Sequence, residues 1–462
     1  MADRTHTNVV ALLIRWLGFL YVCVFLAWWR EAPGLIGPNG ILPAGDLLDA
    51  ARQQMGVWHR LVAVPSLLWL GSGNLALHLI CALGMAAGVF VLLLRWERIA
   101  LAVCLACFVS LIAAAQVFAS YQSDGMLVAA GFIALFVNVK KPRWWSWFSF
   151  RWLWFLIYFG SGLSKWQSGD PQWRHGTALD QYYQNLPLPN WLGWYAQSYL
   201  PHGVEVAIAF SILALELGVC WLAFGPRRLR LICFCIVTPF QLAIIATANY
   251  GFLNWLVLGL GLALLPAGNL EAGWKTAWRW SAVPLMAWVA ITGAALAHRV
   301  WTPFPAPIAV ETALAPFRIV DQYGLFAVMT PNRYEIEFQG SNDGEHWTAY
   351  PFRYKPQDPA RRPVGDMFLF APYQPRFEWN LWFASLANYR SDPWVEETEV
   401  RLLQGSAQVD GLFAANPFSG APPRAVRAVI WQYWFATPEQ KRSEKIWWTR
   451  RLLGLYAPEL TR

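Results

Sequence analysis

The sequence has few charged residues, and the shortage is uneven. Only 14% of its 462 residues are Asp, Glu, Lys or Arg, whereas soluble domains average about a quarter. The deficit lies before about residue 300, where long apolar stretches recur. A water-soluble fold is therefore excluded for this first part, and the lipid bilayer is its expected partner.

Cysteine is also scarce and is confined to apolar stretches. None of the seven cysteines lies in a polar loop or in the last third of the chain. A disulfide-stapled extracellular domain is thereby excluded. Cys104 and Cys107 have the spacing of a redox motif, but within an apolar helix we interpret both as packing residues.

Catalytic signatures are missing as well. There is no Gly-x-Ser-x-Gly, His-Glu-x-x-His or Walker loop, and no pair of histidines has metal-binding spacing. We therefore expect no enzymatic activity, no cofactor and no metal. The net charge of +8 comes mostly from short loops between apolar runs. It indicates membrane topology rather than binding to nucleic acid.

What the sequence has in excess is tryptophan, with 30 copies, and this residue favours the boundary between water and lipid. Apolar stretches of about 20 residues can cross a bilayer. The sequence predicts a polytopic α-helical membrane protein of about nine spans, followed by a β-rich α+β soluble C-terminal domain. The predicted spans are residues 9–29, 74–94, 98–119, 124–139, 150–166, 203–224, 230–247, 251–266 and 280–298.

Basic residues predict the orientation. Alternate short connections are rich in arginine and lysine, which places them and the N-terminus in the cytoplasm. The C-terminal domain then lies on the opposite side, in the periplasm or an equivalent lumen. The residues assigned to the cytoplasmic side are Arg4, Arg95, Arg98, Lys140, Lys141, Arg143, Arg151, Arg227, Arg228, Arg230, Lys275 and Arg279.

The chain divides into a transmembrane domain at 1–299, a linker at 300–315 and a C-terminal domain at 316–462. Long outer loops are expected at 30–73 and 167–202. We predict a β-sandwich-like core with added helices for the C-terminal domain. Its predicted elements are a strand at 334–338, a turn at 341–344, a return strand at 347–354, helices at 379–386 and 396–405, and a buried strand at 425–435.

Charges inside apolar stretches are costly, so they mark a possible polar site in the membrane half. Glu216 must be protonated, paired or exposed to a wet cavity. Lys165 is a candidate partner, although the predicted boundaries place it nearer the outer surface. Asp124 and Ser123 are interpreted as a helix N-cap.

The C-terminal domain contains a basic and aromatic string. Arg and Trp are frequent in binding hot spots, and the alternative is that the arginines close salt bridges within their own domain. The candidate client-binding residues are Arg361, Arg362, Arg376, Trp379 and Trp382.

Three strings together resemble the lipase maturation factor family, in order and over nearly the whole chain. The first is Gly34–Pro43. The second runs from Gly160 to Lys165, through Gly169–Arg174 and Thr177–Asp180, to Gln184–Pro189. The third runs from Pro316–Val320 through Tyr323–Phe326 and Glu335–Glu337 to Gly340–Gly344, and then reaches Arg361–Pro363 and Asn416–Pro417–Phe418. The second string adds Trp173, Arg174 and Asp180 to the candidate polar site of Asp124, Lys165 and Glu216.

The resemblance implies a membrane-embedded, chaperone-like factor that helps secreted lipases to mature, with its C-terminal region contacting the client. In animals such factors lie in the endoplasmic reticulum membrane. The chain ends at Arg462 without a luminal retrieval signal, and its loops are short. These features indicate a bacterial relative in the cytoplasmic membrane with a periplasmic C-terminal domain. The sequence leaves open whether the protein forms a homo-oligomer.

A second hypothesis is a membrane enzyme that acts on a lipid-soluble substrate in a pocket between helices. The string at 162–166 also resembles, more faintly, the membrane domains of the vitamin K-dependent carboxylase group. Lys165, Glu216 and Asp124 would then be the reactive residues. A transporter ranks last, because no pair of matching halves occurs in the sequence.

Overall fold

The computed structural model describes residues 2–267, 270, 278–365 and 371–462. The named elements of the first part are all helices among the described residues, because its long apolar stretches must satisfy their backbone hydrogen bonds internally. Its helices are α1 Ala2–Ile36, α2 Ala44–Gln54, α3 Val57–Ala63, α4 Asn74–Leu92, α5 Glu97–Ala114, α6 Gln122–Leu135, α7 Trp144–Ser168, α8 Pro171–His175, α9 Trp191–Tyr199, α10 His202–Leu217, α11 Arg227–Thr247, α12 Leu253–Gly261 and α13 Trp278–Val300.

Helix α7 lies at the centre of the bundle and contacts α6, α10, α12 and α13. Aromatic polar groups connect it to its neighbours: Trp152 Nε1 donates to Thr292 Oγ1 of α13 at 2.9 Å. Helix α1 packs along α4, where a Cβ atom at Gly18 would lie 2.6 Å from Leu92 N. Glycine therefore lets these two helices approach closely.

Six helices in the described part of the chain are long and apolar enough to cross a membrane, so the predicted count of about nine spans is not confirmed. They are Val9–Ile36, Asn74–Leu92, Glu97–Ala114, His202–Phe224, Arg227–Thr247 and Trp280–Val300. The segments Gln122–Leu135 and Leu253–Leu264 are apolar but shorter. Helix α7 is long but rich in Trp and Ser, and is not among the six. Lys275, assigned above to a cytoplasmic connection, lies outside the described residues.

The C-terminal part contains one antiparallel sheet in the order β2-β1-β3-β4, with β5 pairing with β3 beside β4. Its strands are β1 Arg333–Ser341, β2 Thr348–Ala349, β3 Ala425–Phe435, β4 Trp448–Leu455 and β5 Leu460–Thr461, and its helices are α14 Ile308–Leu314, α15 Arg376–Ala384, α16 Trp394–Gln404, α17 Ala407–Asp410 and α18 Pro438–Ser443. The prediction of a β-sandwich is wrong for the described residues, because helices rather than a second sheet cover this one.

The two longest strands were predicted well. Strand β1 contains the predicted segment 334–338, and β3 coincides with 425–435. The predicted return strand at 347–354 is reduced to β2, and β4 was not predicted. Both are edge strands, whose pairing depends on partners far along the chain rather than on local pattern.

Candidate functional site

Small residues near the C-terminal end of α7 contact the segment that leads into the C-terminal part. A Cβ atom at Gly160 would lie 2.5 Å from the carbonyl oxygen of Tyr323. Ser161 Oγ accepts a hydrogen bond from the Leu325 N–H at 3.2 Å. The backbone of residues 323–325 therefore lies directly on α7, which is possible only because these side chains are short.

The next residues of the connecting segment, 326–329, are held by helix α8 and its N-cap residue. Trp173 Nε1 donates to the carbonyl oxygen of Phe326 at 3.0 Å, and Asp170 Oδ2 accepts from the Met329 N–H at 2.6 Å. Trp173 is buried. This predicted site residue thus fixes the path of the connecting segment, in addition to lining the cavity described below.

Lys165 and Glu216 form a buried ion pair between α7 and α10. Lys165 Nζ lies 3.0 Å from Glu216 Oε1 and 2.8 Å from Oε2, and it also donates to the carbonyl oxygen of Leu325 at 2.9 Å. A Cβ atom at Gly162 would lie 2.8 Å from Glu216 Cβ, so the two helices nearly touch there. The structure confirms the hypothesis of this pairing, and α7 continues to Ser168, which places Lys165 within the helix.

A cavity of about 560 Å³ lies beside this ion pair, between α7, α10, α11 and α12. Its walls are mostly aliphatic and aromatic, but they include a chain of buried polar groups. Gln241 Nε2 donates to Tyr158 Oη at 2.6 Å, and Asn254 Nδ2 donates to Gln241 Oε1 at 2.8 Å. Ligand sites in proteins span roughly 300–1,000 Å³ and combine apolar walls with a few polar groups. The cavity has these properties.

A second, more open cavity of about 830 Å³ shares Lys165 and Trp173 with the first. Arg174 lines it, with an exposed side chain. Lys165, Trp173, Arg174 and Glu216 therefore lie around the two adjoining cavities.

The other two members of that predicted site lie elsewhere. Asp180 is in the loop after α8, with Oδ1 3.3 Å from His202 Nδ1 at the start of α10. Asp124 is fully buried in the first turn of α6. The six predicted residues thus occupy three places rather than one, because helix packing separates the outer ends of α6 and α10.

Asp124 forms a bidentate ion pair with Arg376 of α15. Arg376 Nη2 lies 2.6 Å from Oδ1, and Nη1 lies 2.9 Å from Oδ2. Arg376 Nη1 also donates to the carbonyl oxygen of Phe118 at 2.9 Å. The N-cap interpretation of Ser123 and Asp124 is wrong, because the N-cap of α6 is Tyr121. Asp124 instead joins the membrane half to the C-terminal domain.

The five predicted client-binding residues do not form one exposed surface. Arg376 and Trp379 are buried, and Trp382 Nε1 donates to the carbonyl oxygen of Asn185 at 2.8 Å. Helix α15 therefore faces the membrane half, since its apolar side needs a partner to bury it. Arg361 and Arg362 are exposed.

A buried cluster of charges in β1 was not identified from the sequence. Arg333 donates to the carbonyl oxygen of Gln184 at 2.7 Å and pairs with Glu335, which also pairs with Lys355. Burial lowers the pKa of both Arg333 and Lys355. Alternating charges in a strand usually indicate a solvated face. Here the charged face is buried against the loop at 184–189. The local sequence pattern of a buried charged face is the same as that of a solvated one.

The three strings that carry the family resemblance converge on the junction between the two halves. Strings two and three meet through the contacts of α7 and of Arg333 described above. The first string contacts the C-terminal helices: Ser406 Oγ donates to the carbonyl oxygen of Asn39 at 2.6 Å, and a Cβ atom at Gly34 would lie 2.5 Å from the carbonyl oxygen of Gln408. The residues of the three strings thus form part of the contact between the two halves.

Comparison with protein families gives two matches that together cover most of the chain. The lipase maturation factor transmembrane domain matches residues 9–272, and the lipase maturation factor C-terminal domain matches residues 319–458.

Individual relatives extend over nearly the whole length. The chain is 30% identical to lipase maturation factor 1 of Bos taurus, covering 97% of this chain and 88% of that protein. It is 28% identical to lipase maturation factor 2 of Gallus gallus, covering 97% of this chain and 81% of that protein. Both relatives are eukaryotic, so they do not support the expected bacterial origin. No solved structure matches the chain.

Proposed function

The chain belongs to the lipase maturation factor family, and on that premise we propose that it is a membrane-embedded, chaperone-like factor for secreted lipases or related secreted proteins. It would act by binding its client rather than by catalysis. The relatives are named for lipase maturation, and the match covers both the helical bundle and the C-terminal domain. The full-length similarity is the observation that carries this proposal.

We place client contact on the C-terminal domain, at strand β4. This strand ends the sheet on one side, and Leu452, Leu453 and Leu455 expose about half of their surfaces: 49%, 44% and 56%. An exposed apolar edge strand offers unpaired backbone groups to an extended segment of another chain. A folding client supplies such segments.

The two predicted arginines that remain exposed lie next to this strand. The carbonyl oxygen of Pro359 accepts hydrogen bonds from the N–H groups of Trp447 and Trp448, where β4 begins. Arg361 and Arg362 follow directly and are exposed. The proposed client surface is therefore Arg361, Arg362 and the exposed leucines of β4, and it no longer includes Arg376, Trp379 or Trp382.

We also propose that this surface lies on the non-cytoplasmic side, in the periplasm of a bacterium or in the lumen of the endoplasmic reticulum. The support is the distribution of basic residues, which favours a cytoplasmic N-terminus. The placement also requires an odd number of crossings, as when α6, α7 and α12 cross the membrane beside the six longer helices. Secreted clients fold on that side. Self-association is compatible with the same edge strand and would appear in the experiment below as capture of a second copy.

The test is in-cell cross-linking of the full-length protein, followed by identification of the captured proteins. Leu453→Asp should reduce capture of secreted hydrolases several-fold, because the charge prevents an apolar strand from docking. Leu386→Asp is the matched control, since Leu386 is 43% exposed and lies elsewhere in the domain. Equal capture by Leu453→Asp and the parent protein would contradict the client surface.

One observation favours the second function, an enzyme for a lipid-soluble substrate: Lys165 and Glu216 both line the apolar cavity. An amine and a carboxylate there provide a proton donor and acceptor. The double variant Lys165→Met with Glu216→Gln leaves no unpaired buried charge, so it should fold. Lipase maturation that survives in this variant argues against catalysis, whereas its loss together with retained client capture would favour it.

A further inference from the structure

We propose that Asp180, His202 and Glu205 bind a divalent cation of the zinc type at the start of α10. Each residue offers one ligand atom, and these atoms all lie within 4.8 Å of one another. His202 and Glu205 project from the first turn of α10, and Asp180 comes from the loop after α8. This inference is independent of the proposed function.

The state of Glu205 is the second observation that points to a cation. This glutamate is only 6% exposed, and its Oε1 atom has no hydrogen-bond partner in the described part of the chain. Asp180 Oδ1 is also buried and lacks a hydrogen bond, although His202 Nδ1 lies 3.3 Å away. The carboxylate of Asp180, whose side chain is 35% exposed, repels that of the buried Glu205, and an unpaired buried charge is costly. A bound cation relieves both costs.

The ligand types select the cation. One imidazole nitrogen with two carboxylate oxygens is a donor set that suits zinc, with a fourth position left for water. Calcium and magnesium prefer oxygen ligands alone. His202 is exposed, which gives the ion a path from solvent, and the three side chains would draw together around it.

Such an ion would fix one wall of the apolar cavity. Leu179 and Tyr182, on either side of Asp180 in the loop, line the cavity, and so do Ile208 and Ile212 of α10. Coordination ties the loop to the helix and thereby holds these walls together. The sequence analysis expected no metal, because it sought paired histidines, whereas here Asp180 is 22 positions before His202 in the chain and meets it only through folding.

The experiment uses the purified full-length protein in detergent, stripped with a chelator and titrated with zinc chloride. Calorimetry gives the Kd, and elemental analysis after dialysis gives the stoichiometry. We expect about one zinc per chain. Glu205→Gln and Asp180→Asn should each weaken the Kd by at least about tenfold, since even residues that only support metal ligands change affinity by 10–100-fold.

The matched control is His346→Ala. His346 Nδ1 also lies 2.7 Å from an aspartate oxygen, that of Asp343, but on an exposed turn. This variant should bind zinc as the parent protein does. Zinc should raise the Tm of the parent and of His346→Ala but not of Glu205→Gln, whose folding without zinc is checked by the same melt. No zinc bound by the parent protein, or equal Kd values for parent and Glu205→Gln, would overturn the proposal.

Discussion

Two buried ion pairs connect distant parts of the chain, yet their surroundings differ. Asp124 and Arg376 are enclosed by packed groups: the Arg376 guanidinium lies 4.3 Å from the centroid of the Trp28 ring and 5.5 Å from that of Tyr121. Lys165 and Glu216 also meet across helices, but cavities flank them. The ion pair of Asp124 and Arg376 is therefore closely packed, whereas that of Lys165 and Glu216 borders open space.

The difference indicates two roles. A pair that is packed on all sides can only hold elements together, because nothing else can reach it. A pair on a cavity wall can also meet water or a ligand, which makes it a candidate for binding or chemistry. We therefore regard Asp124 and Arg376 as the connection between the halves, and Lys165 and Glu216 as the polar part of the cavity.

The largest effect is expected from Arg376→Met, which leaves Asp124 buried without a partner. Breaking a buried pair by removing one member costs about 3–5 kcal/mol. Thermal unfolding of the full chain in detergent should show the loss, and proteolysis within residues 300–315 should become faster as the halves separate.

The control for this prediction is the double variant Asp124→Asn with Arg376→Met. It leaves no buried charge and should recover most of the lost stability. A double variant as unstable as Arg376→Met alone would show that shape rather than charge joins the halves.

A smaller loss is expected from Lys165→Met, roughly 1–3 kcal/mol, because the adjoining cavity has room for water to solvate Glu216, and its mostly apolar wall includes the polar groups of Tyr158 and Gln241. The same melts measure it, with Lys140→Met at an exposed position as the control. Lys165→Met could instead destabilise the protein as much as Arg376→Met. Water in the cavity would then not stabilise the unpaired Glu216 carboxylate, and the distinction between the two ion pairs would fail.

Glu399 of α16 sharpens the comparison, because it is a buried carboxylate that no cation pairs with among the residues described. Burial raises its pKa from 4.5 to about 8. The folded state then binds more protons than the unfolded state between these values, so stability falls as pH rises through this window. The slope is at most about 1.4 kcal/mol per pH unit.

Melts between pH 5 and pH 8 check this prediction by comparing the parent protein with Glu399→Gln. The variant should lose less stability over the range. Glu439→Gln is the control, since Glu439 is exposed and its pKa is lowered rather than raised by hydrogen bonds to its backbone and to Thr437. Parallel pH curves for the parent and Glu399→Gln would mean that Glu399 is solvated.

The sequence predicted those features that depend on local apolar content. The helical first part and strand β3 were predicted because their apolar side chains mark buried elements. Lys165 and Glu216 were identified because a charge within an apolar stretch is costly to bury. The number of spans was less predictable, because α6 and α12 are apolar but short, and α7 is long but rich in tryptophan. Length and hydropathy disagree for these helices.

Features that depend on docking could not be predicted. Arg376 and Trp379 have the residue types of a binding surface, and only the position of α15 against the membrane half shows that they are buried. Asp180 and His202 likewise meet through folding. A single sequence shows that such residues are unusual. It does not show which residue, more than twenty positions away in the chain, forms the ion pair or hydrogen bond with them.

The smallest effect is expected on the cavity side, where added volume should be tolerated. Ala196 of α9 lines the cavity, so Ala196→Leu fills existing space and should change stability by no more than about 0.5 kcal/mol. Ala119 is 3% exposed and directly follows Phe118, whose carbonyl oxygen accepts a hydrogen bond from Arg376. Ala119→Leu must displace packed neighbours there, at a cost of about 1–3 kcal/mol. Melts of the two variants compare the two environments directly, because the same methyl-rich side chain is added at both. Equal losses would mean that the cavity closes in solution, and the role assigned to Lys165 and Glu216 would then reduce to holding helices together.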